Sequence, residues 1–253
     1  MFITLGVLAT GLVVGFLTGI SGMGGILIPP VMILLLGMDT HLAMGTSMAS
    51  FLPSSVVTVT TYTRRRIIQK ETALPLSIAG VVCVLIGTEL KALSSGNLLN
   101  LLLAGLVIVV GCLVLRPVSR QPGTPLAGRP SASTIQLLLL GGVVGVLSGM
   151  TGAGGPVLSV PAMILLGYSP MTAIASGQLY VLLVCSAGSA GNILHDAVDL
   201  PLAALCGLGQ VIGVWAGLRV AQRICAETTR KIVAVVCVLS GLGILLKTFA
   251  DTF

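Results

Sequence analysis

Two short stretches hold the residues best suited to chemistry in this sequence: Ser21-Gly22-Met23-Gly24-Gly25 and Thr151-Gly152-Ala153-Gly154-Gly155. Each sets a hydroxyl beside a glycine cluster, just ahead of a short apolar segment broken by proline: Pro29 and Pro30 in the first, Pro156 and Pro161 in the second. Glycine lacks a Cβ, so the chain can take positive φ there and a ligand can approach the backbone closely. Amides at the start of the following helix are unpaired and carry partial positive charge. Two such helix starts facing each other make an anion site that needs no buried lysine. Gly22, Gly24, Gly25, Gly152, Gly154 and Gly155 are therefore candidate binding positions, with the hydroxyls of Ser21 and Thr151 as added donors.

The segments that follow supply further candidates: Thr46 and Ser47 after the first cluster, and Ser176, Gln178 and Tyr180 after the second. A lone Ser or Thr in an apolar helix commonly bonds the carbonyl one turn back, which is the plain reading of Ser50. Thr46 and Ser176 coincide in the internal repeat described below, and Gln178 has no apolar role at its depth. Asn192 and Gln210 read as interhelical hydrogen bonds.

What is missing narrows the chemistry. No Asp, Glu, Lys or Arg sits at the centre of an apolar run; Glu89 and Lys91 lie near the end of one and are expected to snorkel. A relay of buried carboxylates is not visible, nor a P-loop, a dinucleotide fingerprint or a metal-ligand cluster. The six cysteines make no C-x-x-C pair and read as small packing residues. No cofactor, metal or catalytic residue is expected. Gly19-Ile20-Ser21-Gly22 does match the G-x-S-G pattern of rhomboid-like intramembrane serine proteases. That serine would need a base within reach, and His41 and His195, the two histidines, fall at predicted extracellular helix ends. Thr151 holds the equivalent place in the other half, so the protease is the weaker reading.

The elements that position these residues are membrane helices. Of 253 residues, 55% are hydrophobic and 8% charged, and mean hydropathy is +1.12. Soluble domains carry about 25% charged residues, so a water-exposed surface cannot be built from this chain. Disorder is excluded for the same reason, and with 4% aromatics and no folded basic face so is nucleic-acid binding. Apolar runs long enough to span a bilayer are predicted at 2–20, 41–63, 73–93, 97–115, 134–150, 170–194, 200–219 and 230–249. The two proline-broken pieces, 26–36 and 156–166, make about 16 Å of helix, half a hydrocarbon core. The N-terminus has no positive region ahead of its apolar run, so the first helix reads as retained.

Shifting the sequence by 130 lays residues 15–25 on 145–155, and Leu35-Leu36-Gly37 on Leu165-Leu166-Gly167. Past a shortened loop the offset becomes 126, and Leu74-Pro75 meets Leu200-Pro201. The chain thus divides into a first membrane repeat, 1–115, a polar cytoplasmic linker, 116–133, and a second repeat, 134–253. If each glycine cluster turns the chain back, each half makes an odd number of passes and the second half is inverted. Of thirteen basic residues, all but Lys91 and Lys247 then fall on one side, the cytoplasm by the positive-inside rule, and both termini are periplasmic. The predicted fold is an all-α polytopic membrane protein of two inverted repeats, each a Gly-broken helical hairpin plus three long helices. A small anion and membrane lipid are the partners expected.

Taken together, Gly15-Phe16-Leu17-Thr18-Gly19-Ile20-Ser21-Gly22-Met23-Gly24-Gly25, a short helix with prolines, and Ala43-Met44-Gly45-Thr46-Ser47 resemble the TauE/SafE sulfite exporter family. The stretch 145–167 resembles that family's second signature; the A-x-G-T-S element is altered there to Ala173-Ile174-Ala175-Ser176-Gly177. The resemblance implies transport of sulfur-containing anions such as sulfite, sulfoacetate and other organosulfonates across the bacterial inner membrane, with import and export both open. A passive anion channel is the alternative.

Overall fold

The computed structural model describes residues 2–22, 24–115, 133–220 and 226–250. Most of the predicted linker, with Arg116, Arg120 and Arg129, lies outside the described residues, as do Met23 and Arg223. Ten α-helices and no strand occur among the described residues: α1 (Phe2–Ser21), α2 (Ile28–Leu34), α3 (Thr40–Arg64), α4 (Lys70–Leu93), α5 (Gly96–Leu115), α6 (Thr134–Thr151), α7 (Pro156–Leu165), α8 (Pro170–Leu194), α9 (Leu200–Val220) and α10 (Ala226–Ala250). Seven of them, α1, α3, α4, α5, α6, α8 and α9, are long and apolar enough to cross a bilayer. The protein is an all-helical multi-pass membrane protein.

Local chemistry sets the helix ends. The Asp39 carboxylate accepts from the amides of His41 and Leu42 and starts α3. Ser133 and Gln136 form a capping box at α6, and Ser169 caps α8 ahead of Pro170. Gly152, at φ +67, ends α6 in the left-handed conformation. The two breaks differ in how they re-enter helix. The first passes through a 3₁₀ turn, Gly24–Leu27, into the seven-residue α2, whereas the second swings through Gly154 and Gly155, at φ +71 and +83, into α7. Pro29 and Pro30 remove amide donors at the start of α2, leaving the tighter turn ahead of them.

Both breaks fold the chain back. A Cβ on Gly24 would meet the Thr18 amide at 2.6 Å and the Val14 carbonyl at 2.7 Å, and one on Gly155 would meet Ser148 Oγ at 2.9 Å. Glycine also lets long helices touch backbone to backbone. Gly11, Gly15 and Gly19 of α1 lie on Cys206, Gln210 and Val214 of α9, so these helices run parallel. Gly141, Gly145 and Gly149 of α6 meet Leu76, Gly80 and Val84 of α4 in the same sense. In a membrane, where no hydrophobic drive separates helix from lipid, such small-residue seams are the main source of association.

Other pairs run antiparallel. Gly45 of α3 sits by Asn192 of α8, while Thr58 bonds Gln178. Gly111 of α5 faces Ala234 and Val238 of α10, and Gly241 of α10 faces Ala104 and Ile108. These directions put Asp39, Glu89, Asp196 and Asp199 at one end of the bundle, with the outer ends of α1 and α10, and Arg64, Arg65, Arg66, Lys70 and Arg219 at the other. At that basic end the Arg219 guanidinium stacks 3.5 Å over the Trp215 ring, an arrangement suited to a membrane interface.

Candidate functional site

The two breaks are held by helices of opposite halves. Gln178 Nε2 on α8 donates to the Gly22 carbonyl at 3.2 Å. Ser47 Oγ on α3 donates to the Gly152 carbonyl at 3.1 Å and to its own Met44 carbonyl at 2.8 Å. Between the breaks stands Phe51, 5% exposed. Its ring lies against both Gly25 and Gly154, where an added Cβ would come within 2.8 and 3.1 Å of it.

Beside that ring is a cavity of about 10 Å³, lined among others by Thr18, Gly25, Ser54, Ser55, Gly154 and Gln178. A second of similar size touches Ser148, Thr151, Ala153 and Gly155. Each is at the threshold for one water, about 10–15 Å³, so the bundle is closed around both. The amides of Ala153, Gly154 and Gly155 make no hydrogen bond among the described residues. Three consecutive unpaired donors leading into a helix are costly to bury, and free backbone amides ahead of a helix are a means of holding an anion.

The predicted residues divide by place. Gly25, Gly154 and Gln178 line the first cavity, Thr151 and Gly155 the second. Gly22 and Gly152 shape the turns, each with positive φ. Gly24 packs on α1. The Ser21 and Thr151 hydroxyls donate to the Leu17 and Leu147 carbonyls at 2.7 and 2.6 Å, the same bond in each half. Thr46 sits apart, near the acidic end, where its Oγ1 accepts from the Asp199 amide at 2.9 Å. Tyr180 donates to the Gly141 carbonyl at 3.1 Å. Ser176 is fully buried, with its Oγ unpaired among the described residues.

Sequence reasoning missed Phe51, Thr18, Ser54 and Ser55. A signal was present: Ser47, Ser50, Ser54 and Thr58 recur at helical spacing and form a polar stripe down α3. Ser54 donates to Gln210 Oε1, and Gln210 Nε2 donates to Ser50 Oγ and to the Ser50 carbonyl, so α9 is tied to the stripe. One expectation is corrected. Lys91 does not snorkel: it is 1% exposed, and its ammonium donates to Asn192 Oδ1 and to the His41 carbonyl. α8 and the start of α3 close over it, so its stem has no route to water.

The family model described as "Sulfite exporter TauE/SafE" matches residues 7–244. The chain belongs to the TauE/SafE family. Its relatives carry transporter names. One from Xylella fastidiosa (strain 9a5c), "Probable membrane transporter protein", is 28% identical over 235 residues, covering 90% of this chain and 87% of the relative. Another, YdhB of Bacillus subtilis (strain 168), named in the same words, is 26% identical over 221 residues, covering 87% and 89%. TauE/SafE membership and these relatives make the chain a membrane transporter. The family match spans both glycine breaks and Phe51 between them.

Proposed function

We propose that the protein is a secondary transporter that moves a small sulfur-containing oxyanion, such as sulfite, sulfoacetate or another organosulfonate, across the bacterial inner membrane by alternating access. The observation that carries this reading is the run of unpaired amides at Ala153, Gly154 and Gly155, set beside a ring that packs on both breaks. The anion is held by these amides and by Gly25, with the Gln178 amide adding a neutral donor; the Thr18 and Ser54 hydroxyls line the space but donate to Val14 and to Phe51 and Gln210. The halves 1–115 and 134–253 act as inverted repeats about this point. Support comes from the antiparallel pairing of equivalent helices, α3 with α8 and α5 with α10, and from helix starts of opposite halves facing one ring. The matched i−4 bonds of Ser21 and Thr151 favour structural hydroxyls over a protease nucleophile.

Counterflow of labelled sulfite or sulfoacetate in proteoliposomes tests the proposal. A carrier shows stimulated exchange against unlabelled anion on the far side; a channel shows none, and its absence for every sulfur oxyanion tried rejects the reading. Gln178→Leu removes a donor from the cavity and frees the Gly22 carbonyl. A hydrogen bond to a charged group contributes about 1.5–3 kcal/mol, so this variant is expected to weaken binding by roughly one to two decades.

The topology makes a separate prediction. We assign the Arg64 end to the cytoplasm and both termini to the periplasm, from the segregation of basic and acidic loops. Membrane-impermeant thiol labelling from the periplasm should reach a cysteine placed at His195 and spare one at Gln69, both exposed loop positions. The reverse pattern would overturn the assignment.

A further inference from the structure

Among the described residues, Lys91 is the one charged side chain buried in the bundle. Its ammonium donates to Asn192 Oδ1 and to the His41 carbonyl, both neutral acceptors. No carboxylate pairs with it among the described residues, where the sole ion pair is His195 with Glu89; the nearby Asp39 is engaged in capping α3. An ammonium taken from water and given only neutral partners recovers part of its hydration. In a membrane protein a charge kept at that cost marks function before packing.

Its place is specific. Lys91 is in the last turn of α4 and His41 in the first turn of α3, both in the first half; Asn192 is in the last turn of α8, in the second. Asn192 is itself anchored, donating to the Gly188 carbonyl at 2.7 Å and to Met48 Sδ at 3.6 Å. The helices approach closely enough for this contact because Gly191 has no side chain: a Cβ there would sit 2.7 Å from Thr88 Oγ1. The bond therefore ties the two halves together at the Asp39 end, beyond the cavity at Phe51. The repeat does not reproduce it. The shared contacts place α4 on α9 at an offset of 130, not the expected 126, since Gly87 meets Val146 and Gly149 as Gly217 meets Phe16 and Gly19. Lys91, Asn192 and His41 thus correspond to Ala221, Tyr62 and Met171, which cannot build the same bond at the Arg64 end.

We propose that Lys91 is a one-sided latch: it holds α4 to α8 while the Asp39 end of the transport path is closed, and lets go when that end opens. This rests on the alternating-access reading above. When α4 and α8 part at this end, water enters and hydrates the ammonium, so the released state is stable while the closed state depends on Asn192 and the His41 carbonyl. Because the Arg64 end lacks the device, Asn192 and the His41 carbonyl set how readily the Asp39 end closes over the ammonium.

Spin labels on ketone-bearing residues introduced at Leu93 and Leu194, which are 85% and 84% exposed, would report the distance between α4 and α8 in nanodiscs. In Asn192→Leu the ammonium loses its side-chain acceptor in the closed state alone, and the open-to-closed ratio should rise about tenfold, equivalent to 1.4 kcal/mol. Asn192→Asp gives the ammonium a carboxylate partner and should shift the distribution the opposite way, toward the short distance, with slower counterflow. Opposite shifts cannot both come from misfolding. If both variants keep the wild-type distribution, or both move in one direction, the latch is wrong. Counterflow on the unmodified chain reports separately on the carrier: distances that shift as described without any counterflow would keep the latch and reject the transport reading.

Discussion

Valine at Gly25 or at Gly155 is expected to abolish anion binding while the protein still inserts in the membrane. At Gly155 the backbone sits at φ +83, and a Cβ would lie 2.5 Å from Tyr180 Cε1 and 2.9 Å from Ser148 Oγ. A branched residue cannot hold that φ without strain, so the turn must move and carry the unpaired amides with it. At Gly25 the clash is with Phe51, whose Cε1 would be 2.8 Å away; the ring would be pushed toward Gly154 and into the remaining space. Several donors to one charge are disturbed together, so a loss beyond about a hundredfold follows from the per-bond value. Insertion depends on the long apolar helices, which neither change touches. Neutralising Arg64, Arg65 and Arg66, all exposed at the far end of α3, should alter orientation or expression and leave affinity nearly unchanged. Isothermal titration with sulfite and sulfoacetate on purified variants provides the measurement. Normal binding by both valine variants, with loss of binding in the arginine variant, would move the site to the bundle's basic end.

Gly213→Val and Gly87→Val should damage the fold severely, and to similar extents. The two positions lie in equivalent seams, α1–α9 and α4–α6, although the contact that matches Gly87 on Val146 is that of Gly217 on Phe16. A Cβ on Gly213 would stand 2.2 Å from the Leu12 carbonyl oxygen, and one on Gly87 2.4 Å from that of Val146. In both cases the obstacle is helix backbone, which cannot rotate aside as a side chain can. The α1–α9 or α4–α6 seam would have to separate along its length, with loss of the dispersion contacts that hold it. Gly105→Val is the control, since an added Cβ there meets nothing within 4 Å. Thermal unfolding followed by size-exclusion chromatography should show Gly105→Val near wild type and the two seam variants aggregated or strongly lowered in melting temperature. A seam variant as stable as the control would mean that the helices do not pack backbone to backbone.

Much of this architecture is legible in the chain because a bilayer leaves few solutions. Every backbone polar group must be paired internally, so apolar runs become helices. The proline-broken pieces at 26–36 and 156–166 can then be read as half-length returns, and the helix bounds fall within a few residues of prediction. Duplication made the glycine clusters conspicuous, since the same glycines, hydroxyls and prolines recur in one order.

Other features depended on contacts between distant segments. Phe51 looks like one more apolar residue of α3; only packing sets its ring on Gly25 and Gly154, from opposite halves. Thr46 was singled out by its repeat partner, yet its hydroxyl meets the Asp199 amide, because the loop from α8 to α9 crosses the start of α3 there. Lys91 was expected to reach water, a fair inference from its position near a helix end. What decided otherwise was Asn192, about a hundred residues away, brought within reach because Gly191 allows α8 to approach α4. Sequence periodicity and bilayer physics determine which segments are helical and where they break. Which side chains share a space is decided by how closely glycine lets the helices approach, a distance that no single segment contains.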